Sequence, residues 1–286
     1  MPKKSSPPSP LASLITASRR TTLWFIAASA LSVQGVSCIS KIDTPASPGP
    51  AQARSTHVAT QFSGCREFFA AGVPPRLPPA ALQRELCYAS FAVLHNGHSK
   101  IPVFVAERLN RAVIEDADDE KRTNRFFADA RLPSAERATL EDYAGSGYAR
   151  GHMAPAADMP TATAMAQSFS LANMVPQAPR HNSGIWAKIE RDTRHYAARA
   201  QGDVYVITGP VLAEPSKEIG PGRIKVPKYL FKLVYDARAG RAWAYWHENA
   251  DSAVASPPIS YDELVRRTGM ELLPGIPAAA SGRLAS

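Results

Sequence analysis

At 286 residues the chain is long enough for one large domain or two small ones, and its 45% hydrophobic content is that of a globular protein, not a fibrous or disordered one. The formal charge of +8 sits largely at the front: residues 1–37 hold Lys3, Lys4, Arg19 and Arg20 and no acidic residue, leaving +4 for the remainder. That mild excess is compatible with a polyanionic partner but excludes no ordinary basic protein.

Residues 1–22 are polar, basic and rich in Ser and Pro, and residues 23–36 (LWFIAASALSVQGV) form an apolar run. The run is too short for a comfortable membrane span, which needs about 20 residues, and has the length and flanks of a secretory signal. Small residues at Gly35 and Ser37 offer a cleavage point. Residues 1–37 are therefore read as a signal peptide and the mature chain as periplasmic or secreted, without a stable membrane span. A lipid anchor on Cys38, an uncleaved signal anchor and twin-arginine export through Arg19-Arg20 are weaker readings, because Gly35, Thr22 and Leu23 depart from those patterns. Export permits disulfides, and Cys65 and Cys87 are the expected pair, with Cys38 left over.

Residues 38–61 are rich in Pro, Ala and Ser and read as a disordered linker. A domain is expected over 62–276, with a loose tail over 277–286. Residues 86–94 (LCYASFAVL) predict a strand, His95-Asn96-Gly97-His98 a turn, and 101–106 the returning strand of a hairpin. Residues 122–133 read as a loop with an anchored aromatic pair, and Gly145-Ser146-Gly147 as a turn. Residues 159–172 predict a helix. A stronger one is predicted over 182–200, carrying Ile185, Trp186, Ile189, Thr193 and Tyr196 at helical spacing. Residues 204–208 predict a strand stopped by Gly209-Pro210. Strands follow over 225–235 and 242–246, then a helix over 260–270 with Ser260 as N-cap. Strands on both sides of a helical centre give an α+β class.

The chemistry-bearing stretch is 147–194. Taken singly, each residue has a plain explanation: His152 beside a glycine as a structural histidine, Asn182 as an N-cap, Glu190 and Arg194 as a surface pair, Asn173 as turn chemistry. Together they support a different reading. Asn182, Trp186, Glu190 and Arg194 are spaced by four, so neighbours share one slowly drifting stripe. Asn182 falls at the N-terminus of the predicted helix, where dipole and free N–H groups favour a phosphate. A histidine can activate water, and a hard divalent ion on oxygen ligands can relieve phosphoryl charge.

Arg150-Gly151-His152, Asn173-Met174-Val175-Pro176-Gln177 and Asn182-x-Gly184-x-Trp186-x-x-x-Glu190 resemble the DNA/RNA non-specific endonuclease family, which includes the secreted Serratia-type nuclease and endonuclease G. Asp142-Tyr143, Val206-Ile207-Thr208-Gly209-Pro210 and Val226-Pro227 before an aromatic strand with Lys232 agree with it, and the likeness covers about 65–249. It implies a ββα-metal (His-Me finger) core with a central antiparallel sheet flanked by helices. It also implies a Mg²⁺-dependent hydrolase of DNA and RNA, with Mn²⁺ as a substitute. By resemblance, His152 is the general base and Asn182 the one direct metal ligand. Glu190 acts on the metal through water, and Asn173 orients His152. Arg122 (or Arg125) stabilises phosphoryl charge, with Arg150 and Arg194 assisting. Two further partners are compatible: a second copy, since relatives dimerise, and a protein inhibitor, which a toxic nuclease would need. One departure stands out: Ala149 replaces the aspartate usual before Arg-Gly-His. A catalytically impaired nucleic-acid-binding module and a structural envelope protein are the rival readings.

Overall fold

The computed structural model describes residues 57–276. The expected signal, Cys38, the linker up to residue 56 and the tail 277–286 lie outside them. Within the last five linker residues, β1 (Val58–Ala59) pairs with β2 (Arg76–Leu77). Two short 3₁₀ turns, Arg66–Phe68 and Ala70–Gly72, lie between, and Cys65 is bonded to Cys87 as expected.

The strand expected over 86–94 is two strands. β3 (Gln83–Cys87) and β4 (Phe91–Asn96) fold on each other, with Leu86 opposite Val93. Tyr88 N–H donates to Phe91 O at 2.9 Å, and Ala89 N–H is taken by Gln167 Oε1 at 2.7 Å. The turn is held from another element, which a continuous apolar run cannot reveal. β5 (Ile101–Leu109) follows the turn at 97–100. Then comes α1 (Arg111–Asp118), which the sequence reading did not anticipate. Asn110 caps it by accepting from Val113 N–H. α2 (Leu140–Tyr143) is a single turn closed by a Thr139–Asp142 capping box. β6 (Ala149–His152) and β7 (Met174–Gln177) form a separate two-stranded ribbon. Between them lies α3 (Ala162–Ser168), shorter than the helix predicted over 159–172 because Leu171–Asn173 is a 3₁₀ turn.

The long helix has three parts: α4 (Pro179–His181), a wide π-helical turn at Asn182–Trp186, and α5 (Ala187–Arg199). β8 (Val204–Val211) then runs through Gly209-Pro210 instead of stopping there. Pairing with β5 ends at Thr208, so the side of Pro210 that lacks an N–H meets no partner. Gly209 is needed for a different reason: a Cβ there would lie 2.7 Å from Val103 O and from the Phe231 ring. β9 (Glu218–Ile219) and β10 (Ile224–Lys225) pair as a small ribbon. β11 (Tyr229–Asp236) and β12 (Arg241–Glu248) pair in register from Tyr229↔Glu248 to Asp236↔Arg241. α6 (Tyr261–Thr268) is capped by Ser260 as predicted.

The central sheet is antiparallel throughout, in the order β12-β11-β8-β5-β4-β3. Strand alternation sorts its side chains into two cores. Ala92, Leu94, Phe104, Ile207, Phe231 and Leu233 pack with Phe62, Phe69 and α6 on one face. Phe91, Val93, Val105 and Leu230 pack on the other with Met153, Phe169, Met174 and Trp186. The α+β expectation, with helices flanking a central antiparallel sheet, is met. The second face carries the site.

Candidate active site

The β6–β7 ribbon sets the base. Alternation places Arg150 and His152 on one face of β6 and Ala149 and Gly151 on the other. His152 is buried against Phe126 and Phe169, with ring centroids 5.8 and 5.1 Å away. The two phenylalanines touch each other at 5.0 Å, so the imidazole sits in an aromatic corner. Its Nε2 is buried and has no hydrogen-bond partner among the described residues. Burial first, and Arg122 second, push the His152 pKa down to about 3, so the ring is neutral.

Arg122 lies over Phe169 at 5.1 Å and Arg150 over Phe126 at 4.2 Å. Both guanidiniums therefore rest on the rings that hold His152. Arg122 donates from Nε to Asn124 Oδ1 at 2.7 Å. Of the two arginines the resemblance left open, the structure brings Arg122 to His152; it gives Arg125 no comparable contact among the described residues.

Asn173 does not touch the His152 ring. Its Oδ1 accepts from Ala154 N–H at 2.9 Å, and its Nδ2 donates to Ala154 O and Ser168 O, both at 2.9 Å. It is fully buried and fixes the chain two residues beyond the histidine. Any orienting effect on His152 passes through that backbone.

The helix differs from expectation at its start. It begins at Pro179, and Asn182 N–H already donates to Ala178 O at 2.9 Å. Asn182 is therefore inside the helix, and its amide N–H is not free for a phosphate. Its half-buried side chain makes no hydrogen bond among the described residues. Glu190, also half-buried, has no hydrogen bond or ion pair among them either. Burial raises the Glu190 carboxyl to about 7; Asp158 adds to the rise, while Lys232, Arg194 and Arg122 oppose it. Arg194 does not pair with Glu190: its Nη1 meets Asp158 Oδ1 at 2.8 Å.

Near Glu190 lies a polar layer of which the sequence pointed to Lys232 and Thr208, through the family resemblance, but not to Glu107 or Asp158. Glu107 on β5 and Lys232 on β11 are both buried, 3.9 Å apart, and Lys232 Nζ donates to Thr208 Oγ1 at 2.8 Å. Lys232 Nζ also lies 5.9 Å from the centre of the buried Trp186 ring. Neither Glu107 oxygen has a hydrogen bond. Burial, with Asp158 and Glu190 nearby, holds Glu107 well above the usual carboxylate range against the pull of Lys232. The local signal that could have found Glu107 is a charged residue in an otherwise apolar strand, IPVFVAERL.

The donor set fits a hard divalent cation. An uncommitted amide oxygen on Asn182 and an uncommitted carboxyl on Glu190, raised by burial against the pull of Lys232, Arg194 and Arg122, offer oxygen ligands. No group of three or more His, Cys, Asp or Glu among the described residues is arranged to hold a metal. A softer, fully protein-ligated site such as structural zinc is thus not what these residues build. Ala149 faces Gln177 across the ribbon, on the side away from His152.

The chain is also similar to several known proteins. A family model described as DNA/RNA non-specific endonuclease matches residues 75–279. "Nuclease EXOG, mitochondrial" of Xenopus laevis is 36% identical over 158 residues, 51% of this chain and 44% of that protein. "Nuclease C1" of Cunninghamella echinulata var. echinulata is 33% identical over 176 residues, 57% of this chain and 68% of its own. The chain thus spans less than half the length of the EXOG relatives it matches. A crystal structure of an EndoG/EndoGI complex shares the fold, with a TM-score of 0.64 at 20% identity, covering 79% of this chain and 98% of the other.

Proposed function

The chain belongs to the DNA/RNA non-specific endonuclease family, and from that membership we propose that it hydrolyses phosphodiester bonds of DNA and RNA with the help of Mg²⁺. The observation that carries this reading is the corner around His152, where Arg122 and Arg150 rest on the two phenylalanine rings that hold the buried imidazole. Two cations thus stand beside a buried neutral base.

Asn182 directly, and Glu190 through water, would hold the ion, which would relieve charge on the phosphoryl oxygens and the leaving oxygen. His152 takes the proton of the attacking water. The water oxygen bonds to phosphorus as the bond to the 3′ oxygen breaks, leaving a 5′-phosphate and a 3′-hydroxyl. A histidine with a pKa near 3 is a weak base. A phosphate seated on Arg122 offsets its charge and raises the basicity of the ring when it is needed. Contacts of this kind read phosphate and not base edges, which supports action with little sequence preference.

The rival binding module rests on Ala149. That residue points away from His152, which favours an active enzyme. The N-terminal signal pattern and the Cys65–Cys87 bridge support export. The test is nicking of supercoiled plasmid by the purified protein in Mg²⁺ and in EDTA. His152→Ala should lose roughly 10²–10⁴-fold in kcat, and Asn182→Ala should lose cleavage at low Mg²⁺. Parent protein that binds DNA but never cuts it, across several divalent ions, would favour the binding module.

A further inference from the structure

Gln177 is fully buried at the end of β7, and the site described above makes no use of it. Its Nε2 donates to Nδ1 of the buried His181 at 3.0 Å. Its Oε1 has no hydrogen-bond partner, yet it is pressed against the chain at Gly151: a Cβ built on Gly151 would lie 1.9 Å from that oxygen and 2.7 Å from the Gln177 Cβ. Gly151 precedes His152, and His181 precedes Asn182. A single amide therefore spans from the strand that carries the base to the helix that carries the metal ligand.

Neighbouring contacts fix where that amide sits. Asn249 Oδ1 accepts from Ala178 N–H at 2.8 Å, and its Nδ2 donates to Pro176 O and Pro227 O, each at 2.9 Å. The residues on both sides of Gln177 are thus tied to the end of the central sheet. Filling space does not require an amide here, since an apolar side chain of equal length would leave no buried oxygen unmatched. Nor is Gly151 needed for an unusual backbone angle, because it lies in a regular strand pair and its φ is not in the left-handed region. The glycine is needed because Gln177 occupies the place a side chain would take.

We propose that Gln177 is a positioning residue of the nuclease site, a clamp between Gly151 and His181 that sets the distance from His152 to Asn182. This rests on the nuclease reading above. The test uses the full chain with Gln177→Met, Gln177→Ala, Gly151→Ala and the Gly151→Ala/Gln177→Ala double variant. The readouts are thermal melting, kcat and KM on plasmid in Mg²⁺, and calorimetric titration of the substrate-free protein with Mn²⁺.

Gln177→Met should melt close to the parent, lose roughly 100-fold in kcat with little change in KM, and bind Mn²⁺ about 10-fold more weakly. Gly151→Ala should do the same from the other side, and the double variant should lose no more than Gln177→Ala alone, because removing the amide makes room for the methyl group and the two losses do not add. Parental kcat and Mn²⁺ affinity in Gln177→Met would overturn the clamp, as would a lowered melting temperature with unchanged kcat per folded molecule. If the Gln177 variants do not fold, Gly151→Ala decides, and parental kcat there overturns the proposal. If the parent fails to cut in Mg²⁺ but binds Mn²⁺, the nuclease reading fails, and the titrations alone decide the clamp: weaker binding in Gln177→Met supports it, and equal binding overturns it. A parent that neither cuts nor binds Mn²⁺ overturns both.

Discussion

Glu190 is the residue whose chemistry changes most between a free and a metal-loaded site. Burial lifts its carboxyl to about 7, and Asp158 adds to that, so near neutral pH a proton and a cation compete for it. Mn²⁺ affinity should therefore weaken as pH falls from 8 to 6, by roughly tenfold per pH unit below the pKa. Glu190→Gln should bind weakly at every pH and flatten the dependence. Titration calorimetry at pH 6, 7 and 8 checks both, and a parent whose affinity is flat over that range would remove Glu190 from the metal's surroundings. The stability linkage runs the opposite way. A carboxyl raised in the folded state stabilises the fold below its unfolded pKa near 4.5, and that stabilisation is lost as pH rises through about 7. His152, at about 3, should add no acid limb near 6.5. His152, Asn182 and Glu190 were legible because they sit at fixed short spacings on two local elements. Asp158 was not: its partner Arg194 is 36 residues away, and a long-range ion pair leaves no local pattern.

The helix from Pro179 onward was legible as an element, but its interior was not. In a regular α-helix Asn182 and Glu190, eight residues apart, diverge by roughly 80°. The turn at Asn182–Trp186 is π-helical, and such a turn advances fewer degrees per residue. It brings the two side chains closer to one face than the four-residue spacing suggests. No residue type announces a π turn, whereas Pro179 at the first helical position does announce the start. The junction before it hangs on Asn249, which alone satisfies Ala178 N–H and reaches two carbonyls across the chain. Asn249→Ala removes all three bonds and leaves partly buried backbone groups unmatched, at about 1–3 kcal/mol for the worst of them. It should lower the melting temperature by several degrees and reduce kcat, because β7 and α4 are no longer tied to the β11 end of the sheet. Melting curves and single-turnover cleavage check this; a variant with parental stability would show that water replaces the asparagine at no cost.

At the scale of the whole molecule the central sheet separates stability from chemistry. The face carrying Met153, Phe169 and Trp186 supports the site, while the opposite face packs Phe62, Cys65, Phe69 and α6. The α+β class was legible from the strand and helix pattern and the antiparallel central sheet from the family resemblance, but β3 and β4 were read as one strand, because their turn at Tyr88 is held by Gln167 from 78 residues away. The Cys65–Cys87 bridge belongs to the core on the far face, joining a 3₁₀ turn to edge strand β3 with a sequence separation of 22. Closing a loop of that length restricts the unfolded chain by about 3 kcal/mol. For a domain of this size that is worth roughly 10 °C in melting temperature. Cys65→Ala/Cys87→Ala, or reduction of the parent, should therefore lower the melting temperature by about that amount. The kcat and metal affinity of the folded fraction should stay at parental values, because no site residue touches the bridge. Scanning calorimetry beside plasmid kinetics at 25 °C separates the two effects. A loss of kcat in molecules still folded would mean that the two faces are mechanically coupled through β3 and β4, and that the site depends on its far-side core for more than stability.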